Sequence, residues 1–511
     1  MEEPHRRESW EIEERDWQET PIAVKRLVRR LSQELEELRQ RIEQLEAENE
    51  CLKEKVKVSS QNSHKPPSSD LSSPAKSQKK GKRRKKRGGQ PGHQGHSRPL
   101  YPVEDCQKLR DYYPKTCGGC GEELKGVDPK PHRHQVVEIP PIKLLIEEHR
   151  LHQLSCPHCG QKTRAVLPSE VERSGYQQRV VALVSVLSGR YRHSHRMVVS
   201  AMSDLFGLKM SLGTVNRLRK EASEAVSVPV EAAKAYVQSA PRVGADETGF
   251  GQGNSDGQNP QNKRAWLWVA VTPLVSFFEV MLSRSTAAAQ ALLGENFSGR
   301  LNSDRYPAYN WLEVQQRQLC WAHLKREFSK ISQRSGVSRQ LGRDLLAQQK
   351  KLFRLWHRVR DGTVSRREFQ SLVSPIRERV RNLLKQGADY PIGTKEKTPL
   401  AKTVRTCRQL LKLEPALWLF VTVAGLEPTN NAAERAIRPA VLWRRTSFGS
   451  QSQAGSVFVA RMLTVVTSLR SQNRNVLEFM TEAIRAARQG SPPPSLLPQE
   501  SSSTSSMPLA T

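Results

Sequence analysis

The chain has 511 residues, too many for one ordinary core, so it is expected to divide into about three or four units. Its 82 Lys and Arg against 52 Asp and Glu leave a formal net charge of +30, a balance expected of a protein whose partner is a polyanion, nucleic acid above all. No run of about 18 uncharged apolar residues is present, and the opening MEEPHRRESWEIEERDW lacks a signal-peptide core; this sets aside a membrane partner and points to a cytoplasmic, nucleoid-associated protein.

Thr20-Pro21 pairs an N-cap residue with a proline suited to a first helical position, and the sequence then runs without Gly or Pro to about Val58, which predicts one long helix. Leu31, Leu38, Leu45 and Leu52 recur every seven residues, and Val28, Leu35, Ile42, Asn49 and Val56 fill the other seam position. This heptad pattern predicts a homodimeric coiled coil over residues 20–58, with Asn49 favouring a parallel register. A helix packed on its own chain is the alternative.

Residues 59–98 are rich in Ser, Pro, Lys and Gly and have no apolar periodicity. They cannot bury enough surface to offset chain entropy and read as a disordered linker. Its block of like charge holds Lys82, Arg83, Arg84, Lys85, Lys86 and Arg87, suited to phosphate contacts without base readout, or else a solvated or targeting segment.

Eight cysteines are too few for a disulfide scaffold, and four form Cys-x-x-Cys pairs. Cys117-Gly-Gly-Cys120 and Cys156-Pro-His-Cys159 supply four thiolates, a closed tetrahedral shell for a structural Zn²⁺ in a module spanning 99–170. The stretch VVEIPPIKLLIEEHRLHQL between them is expected to form a strand pair, which makes the module zinc-ribbon-like. Cys51, Cys106, Cys320 and Cys407 are expected to be ordinary reduced thiols.

Residues 176–236 carry successive amphipathic helical segments, with Gly207 expected as a C-cap and Ser211 as an N-cap. The last two segments resemble a helix-turn-helix whose second helix presents Asn216, Arg217, Arg219 and Lys220 to DNA; a purely structural hairpin is the equal alternative.

From Pro241 the texture changes. PRVGADETGFG reads as a strand ending in Asp246, AWLWVAVTP and VSFFEVMLSRST as two more strands, AAAQALLG as a short helix, GRLNSDRYPAYNWL as a strand ending at Asp304, and QRQLCWAHLKREF as a fifth strand running into a helix. This is the ribonuclease-H-like α/β order, in which Asp246 and Asp304 share a pocket if their strands are neighbours. In EPTNNAAERAIRPAVLWRR, Thr429 or Asn430 can cap a helix whose first turns present Glu434, followed by Arg435 and Arg438. Two strand-end carboxylates and one from a helix can hold two Mg²⁺ (or Mn²⁺) ions for phosphoryl transfer. Glu247 is the alternative ligand, but strand alternation allows only one of the adjacent acids into the site. Lys325, Arg326, Arg435 and Arg438 would neutralise phosphates. His323 reads as scaffold or as orienting a phosphate or water, and Trp321, Trp443 and Phe448 as base-stacking or packing residues.

The segments ADETGF, NSDRYPAY, CWAHLKREF, PTNNAAERAIR and RRTSFGSQSQAGSVFVA, with GGQPGHQGH before the cysteine module, resemble the insertion-sequence-66 group of DDE transposases from about residue 20 to about 470. The resemblance implies a retroviral-integrase-type catalytic domain over 241–470, with Asp246, Asp304 and Glu434 as the acidic triad. It also implies a helical insertion at about 329–424 that helps hold DNA, double-stranded DNA at transposon ends and target as partner, and small accessory transposition proteins. Residues 471–511 read as one helix and a disordered tail. A DNA-binding regulator derived from a transposase and a ribonuclease-H-type nuclease are the competing readings.

Overall fold

The computed structural model describes residues 14–56, 98–169 and 171–498. A short helix α1 (Glu14–Glu19) precedes α2 (Ile22–Val56), which runs unbroken over 35 residues because no Gly or Pro interrupts it. The seam residues Leu31, Leu35, Leu38, Ile42, Leu45 and Leu52 are exposed in the single chain. The linker expected over 59–98, and Lys82 to Arg87 within it, lie outside the described residues as far as residue 97.

In the cysteine module the only strand pair among the described residues is β1 (Gln153–Ser155) against β2 (Lys162–Arg164), which brackets the second knuckle. The pair expected in residues 136–154 does not form. Pro140 and Pro141 remove two successive ladder donors at its centre, and Val136, Ile139, Leu145 and Ile146 are left exposed.

Four helices follow: α3 (Gln178–Gly189), α4 (His195–Phe206), α5 (Leu212–Ala225) and α6 (Ser227–Gln238). Gly207 closes α4 in the left-handed conformation, φ 67°, and the Ser211 hydroxyl accepts the Thr214 amide at the start of α5.

The sheet is built from β3 (Arg242–Phe250), β4 (Ala265–Val271), β5 (Ser276–Met281), then, after α7 (Thr286–Leu293), β6 (Arg300–Ser303) and β7 (Arg317–Leu319). Its order is β5-β4-β3-β6-β7, with the first three strands antiparallel and β6 and β7 parallel to β3. The parallel return needs a crossover, which α7 supplies. β3 pairs with β6 only from Arg242↔Arg300 to Gly244↔Asn302, because β6 ends at Ser303 while β3 continues along β4 to Phe250. Asp246 therefore lies in mid-strand rather than at a strand end. It is the neighbouring strand that stops, and two residues past the last pair lie Asp246 and Asp304.

β7 leads directly into α8 (Trp321–Ser332), α9 (Gly336–Arg360), α10 (Arg366–Ala388), α11 (Pro399–Lys412) and α12 (Glu414–Thr422), an all-helical excursion. It has its own core, in which Trp356, Phe369 and Phe420 meet with ring centroids 5.3–6.0 Å apart. The chain then returns as α13 (Asn431–Ser447), α14 (Gln453–Ser471) and α15 (Val476–Gln489). α14 packs on β5, and α15 packs on α3 and α5, so the helices before the sheet share one core with it. The tail expected to be loose after α15 stays packed as far as it is described. Leu496 is fully buried, and its carbonyl accepts the Gln472 side-chain amide at 2.9 Å.

Candidate active site

Three acids reach one cavity of about 1130 Å³ from three different elements: Asp246 from β3, Asp304 from just past β6, and Glu434 from the first turn of α13. What delivers Glu434 is the loop before it. The Asn302 side-chain amide donates to the carbonyls of Glu427 (2.7 Å) and Thr429 (3.1 Å), and the Trp321 amide donates to Pro428 O at 2.9 Å. The Asn430 amide donates to the Cys320 sulfur at 3.2 Å and its side chain to Ala245 O at 2.7 Å. Asn430 thus holds the N-cap position of α13 without capping it by its side chain, which crosses to β3 instead. This loop is sewn to β3, β6 and α8 together.

The acids form a concentration of negative charge. Burial, and then the charges of Glu247, Asp304 and Glu434, hold the Asp246 carboxyl well above the usual range. The Glu247 amide donates to Asp246 at 2.9 Å and the Tyr306 amide to Asp304 at 2.8 Å; neither acid is in a salt bridge among the described residues. Glu247 also borders the cavity, contrary to the simple alternation argument, but its oxygens are committed. Arg284 Nη2 lies 2.6 Å from Oε1 and the Tyr309 hydroxyl donates to Oε2 at 2.7 Å. Burial and the Asp304 charge nevertheless raise its carboxyl. The carboxylate oxygens of Asp246 and Asp304, in no salt bridge among the described residues, are the donor chemistry that suits hard divalent ions.

Glu434 is flanked by His323, whose Nδ1 is 3.5 Å from Oε1, and by Arg326, 3.8 Å from Oε2. The Cys320 thiol, pushed up to about 11 by burial, completes a Cys320, His323 and Glu434 cluster with ligand atoms within 4.8 Å. His323 and Arg326 thus sit at the acid itself. Lys325 is exposed and does not line the cavity. Arg305, Arg438, Arg444 and Arg445 give the cavity a cationic rim.

Several expected contacts are rearranged. Arg435 does not line this cavity, because one residue advances a helix by about 100° and turns it away from Glu434. It borders a second cleft. Arg219, expected to face DNA, is half-buried, hydrogen-bonded to His195 and stacked 4.1 Å from the Phe458 ring centroid. The Arg219 guanidinium thus lies against Phe458 of α14, whereas Arg217 and Lys220 stay exposed on α5. Trp321 and Trp443 are buried packing residues, while Phe448 is exposed at φ 58°.

The two cysteine knuckles have matching local geometry. The Cys117 amide donates to Glu122 O at 2.8 Å and the Cys156 amide to Gln161 O at 2.9 Å, with Gly121 and Gly160 at φ 82° and 72°. In each, the amides two and three residues on point at the first sulfur and lower its thiol, the three-residue amide most: Cys120 and Gly119 act on Cys117, Cys159 and His158 on Cys156. That is thiolate chemistry fitted to zinc. The four sulfurs do not form one group within 4.8 Å as the knuckles stand.

A mixed sheet with three acids at one cavity, an arginine-rich rim and an appended cysteine module are the features to be matched with known proteins. The chain belongs to the IS66 transposase family: the model described as Transposase IS66 family matches residues 178–457, more than half of the chain. The zinc-finger binding domain of transposase IS66 matches residues 114–160, which supports structural zinc at the knuckles, and a family of unknown function matches residues 1–99. A protein of Sinorhizobium fredii (strain NBRC 101917 / NGR234), described as uncharacterized protein y4qI, is 25% identical over 410 residues, 74% of this chain and 71% of that one. DNA is the partner that membership implies. No helix among the described residues is long and apolar enough to cross a membrane.

Proposed function

We propose that this chain is a DDE-type DNA transposase that cleaves at transposon ends and joins them to target DNA, with Asp246, Asp304 and Glu434 as ligands of two Mg²⁺ ions. The observation that carries this reading is the convergence of those three carboxylates, from β3, the end of β6 and α13, on one cavity. The sheet order β5-β4-β3-β6-β7, with three antiparallel strands followed by two parallel ones, supports the ribonuclease-H-like reading of this domain. When bound, two divalent ions would clamp the attacking and leaving oxygens of a phosphodiester. The chain's own part is to fix the acids, through the seams of Asn302 and Asn430, and to receive the backbone phosphates on Arg438, Arg444 and Arg445. His323 and Arg326 orient Glu434.

In the same reading α2 pairs with a second copy through its exposed leucine seam, bringing two element ends together. The cysteine module closes around zinc, α4 and α5 act as a DNA-binding pair, and Lys82 to Arg87 hold phosphates without sequence readout. The test is to incubate the protein with Mg²⁺ or Mn²⁺ and a plasmid carrying the element's flanking DNA. Covalent joining of a cleaved 3′ end to a second DNA supports transposition; cleavage without joining makes it a nuclease.

A further inference from the structure

The face of α13 opposite the acids borders a second cleft of about 530 Å³, and four arginines line it: Arg190 and Arg192 after α3, Arg435 on α13 and Arg470 on α14. No Asp or Glu lines it, and none of the four is in a salt bridge among the described residues. Arg190 also stacks over the Tyr191 ring at 5.3 Å, but no carboxylate lines the cleft to offset the four guanidiniums from three separate segments, an arrangement suited to receiving an anion. The segment carrying the first two is built to hold them. Arg192 adopts φ 61°, rare for a side-chain-bearing residue, and the turn is pinned by the Tyr191 amide on Val186 O (3.1 Å) and the His193 amide on Leu187 O (3.0 Å). The floor is apolar, with Val271, Pro273, Ala436 and Trp443, and suits sugar faces between phosphates.

We infer that this cleft binds the phosphodiester backbone of a second stretch of DNA, apart from the stretch at the acids, so that α13 lies between two DNA segments. The inference rests on the DNA-processing reading above. Arginine forks engage phosphate oxygens bidentately, and a cleft with four arginines from three segments fits a running backbone better than a single small anion.

The test measures binding of the full chain to a fluorescein-labelled duplex of arbitrary sequence as a function of salt. Each lost phosphate contact should flatten the slope of log K against log salt by about 0.9, so Arg435→Gln/Arg470→Gln and Arg190→Gln/Arg192→Gln should each flatten it by roughly 1.8. Arg435→Lys/Arg470→Lys, which keeps the charge, should restore the slope. Pairs of Gln variants that bind with the wild-type slope overturn the cleft while leaving DNA binding intact. Failure of the wild type to bind the duplex at low salt overturns the DNA reading itself and the cleft with it.

Discussion

The Asn430 side-chain amide donates to the carbonyl of Ala245, 2.7 Å away, and so fastens the start of α13 to β3 one residue before Asp246. Glu434 lies one helical turn beyond Asn430, so this hydrogen bond, together with those that hold the preceding loop, helps to set the spacing of two of the three acids. Gly244 leaves room for it, since a Cβ there would come within 2.8 Å of Asn430 Oδ1.

Asn430→Ala leaves the buried Ala245 carbonyl unpaired, which is expected to cost about 1–3 kcal/mol of stability. Activity should fall by about 10–100-fold, the range seen when a partner that orients a ligand is lost. Gly244→Ala should do the same by displacing Asn430. Urea midpoints and strand-cleavage rates measured together check both; wild-type rates in either variant would show that the seam does not position the acids.

Purified under reducing conditions, the chain should carry one Zn²⁺, and Cys117→Ser or Cys156→Ser should abolish it, because both knuckles are needed for a four-sulfur shell. The thermal transition of the sheet core should survive, since residues 98–169 contribute nothing to that core. Retention of zinc by Cys156→Ser would mean that the second knuckle is not a ligand.

Burial, and then the Arg219 charge, hold the His195 imidazole below its ordinary value of 6.5. A depressed folded value means that its contribution to stability is present above about pH 6.5 and is lost as pH falls through the folded value. Thermal stability should therefore drop on mild acidification, and His195→Gln should remove that part of the drop. An unchanged pH profile in the variant would exclude His195 as its source.

Arg488 ties α15 to the entry of α3 and to α5, 2.7 Å from both Glu172 and Glu221. Arg488→Met strands two half-buried carboxylates and should cost about 2–3 kcal/mol. A chain ending at residue 475 should expose the core that Phe479, Met480 and Ile484 fill and lose cooperative unfolding. Cooperative unfolding of the truncated chain, followed by calorimetry, would show that α15 is dispensable.

Local chemistry was legible where it was self-contained. Gly207 and Ser211 mark the boundary between α4 and α5, Pro140-Pro141 breaks the strand pair that the apolar residues around it suggest, and the order of strands and helices from 241 onward matches the sheet. Asp246 was misplaced along its strand because the end that matters belongs to β6, and strand alternation does not report where a neighbour stops. The tertiary partners were not legible. Nothing local distinguishes Arg219, stacked on Phe458 of α14, from Arg217, or foretells that Asn430 will prefer Ala245 of β3 to its own helix. Four prolines, Pro492, Pro493, Pro494 and Pro498, and the lack of periodicity hid Leu496, which joins the core of the sheet.

The most direct test of the central claim is metal-specific rescue at Asp304. Asp304→Cys replaces a hard oxygen with a soft sulfur, so strand cleavage should vanish in Mg²⁺ and return measurably in Mn²⁺, while DNA binding stays at the wild-type level. Cleavage by Asp304→Cys in Mg²⁺ at the wild-type rate would show that Asp304 holds no catalytic metal and would contradict the account.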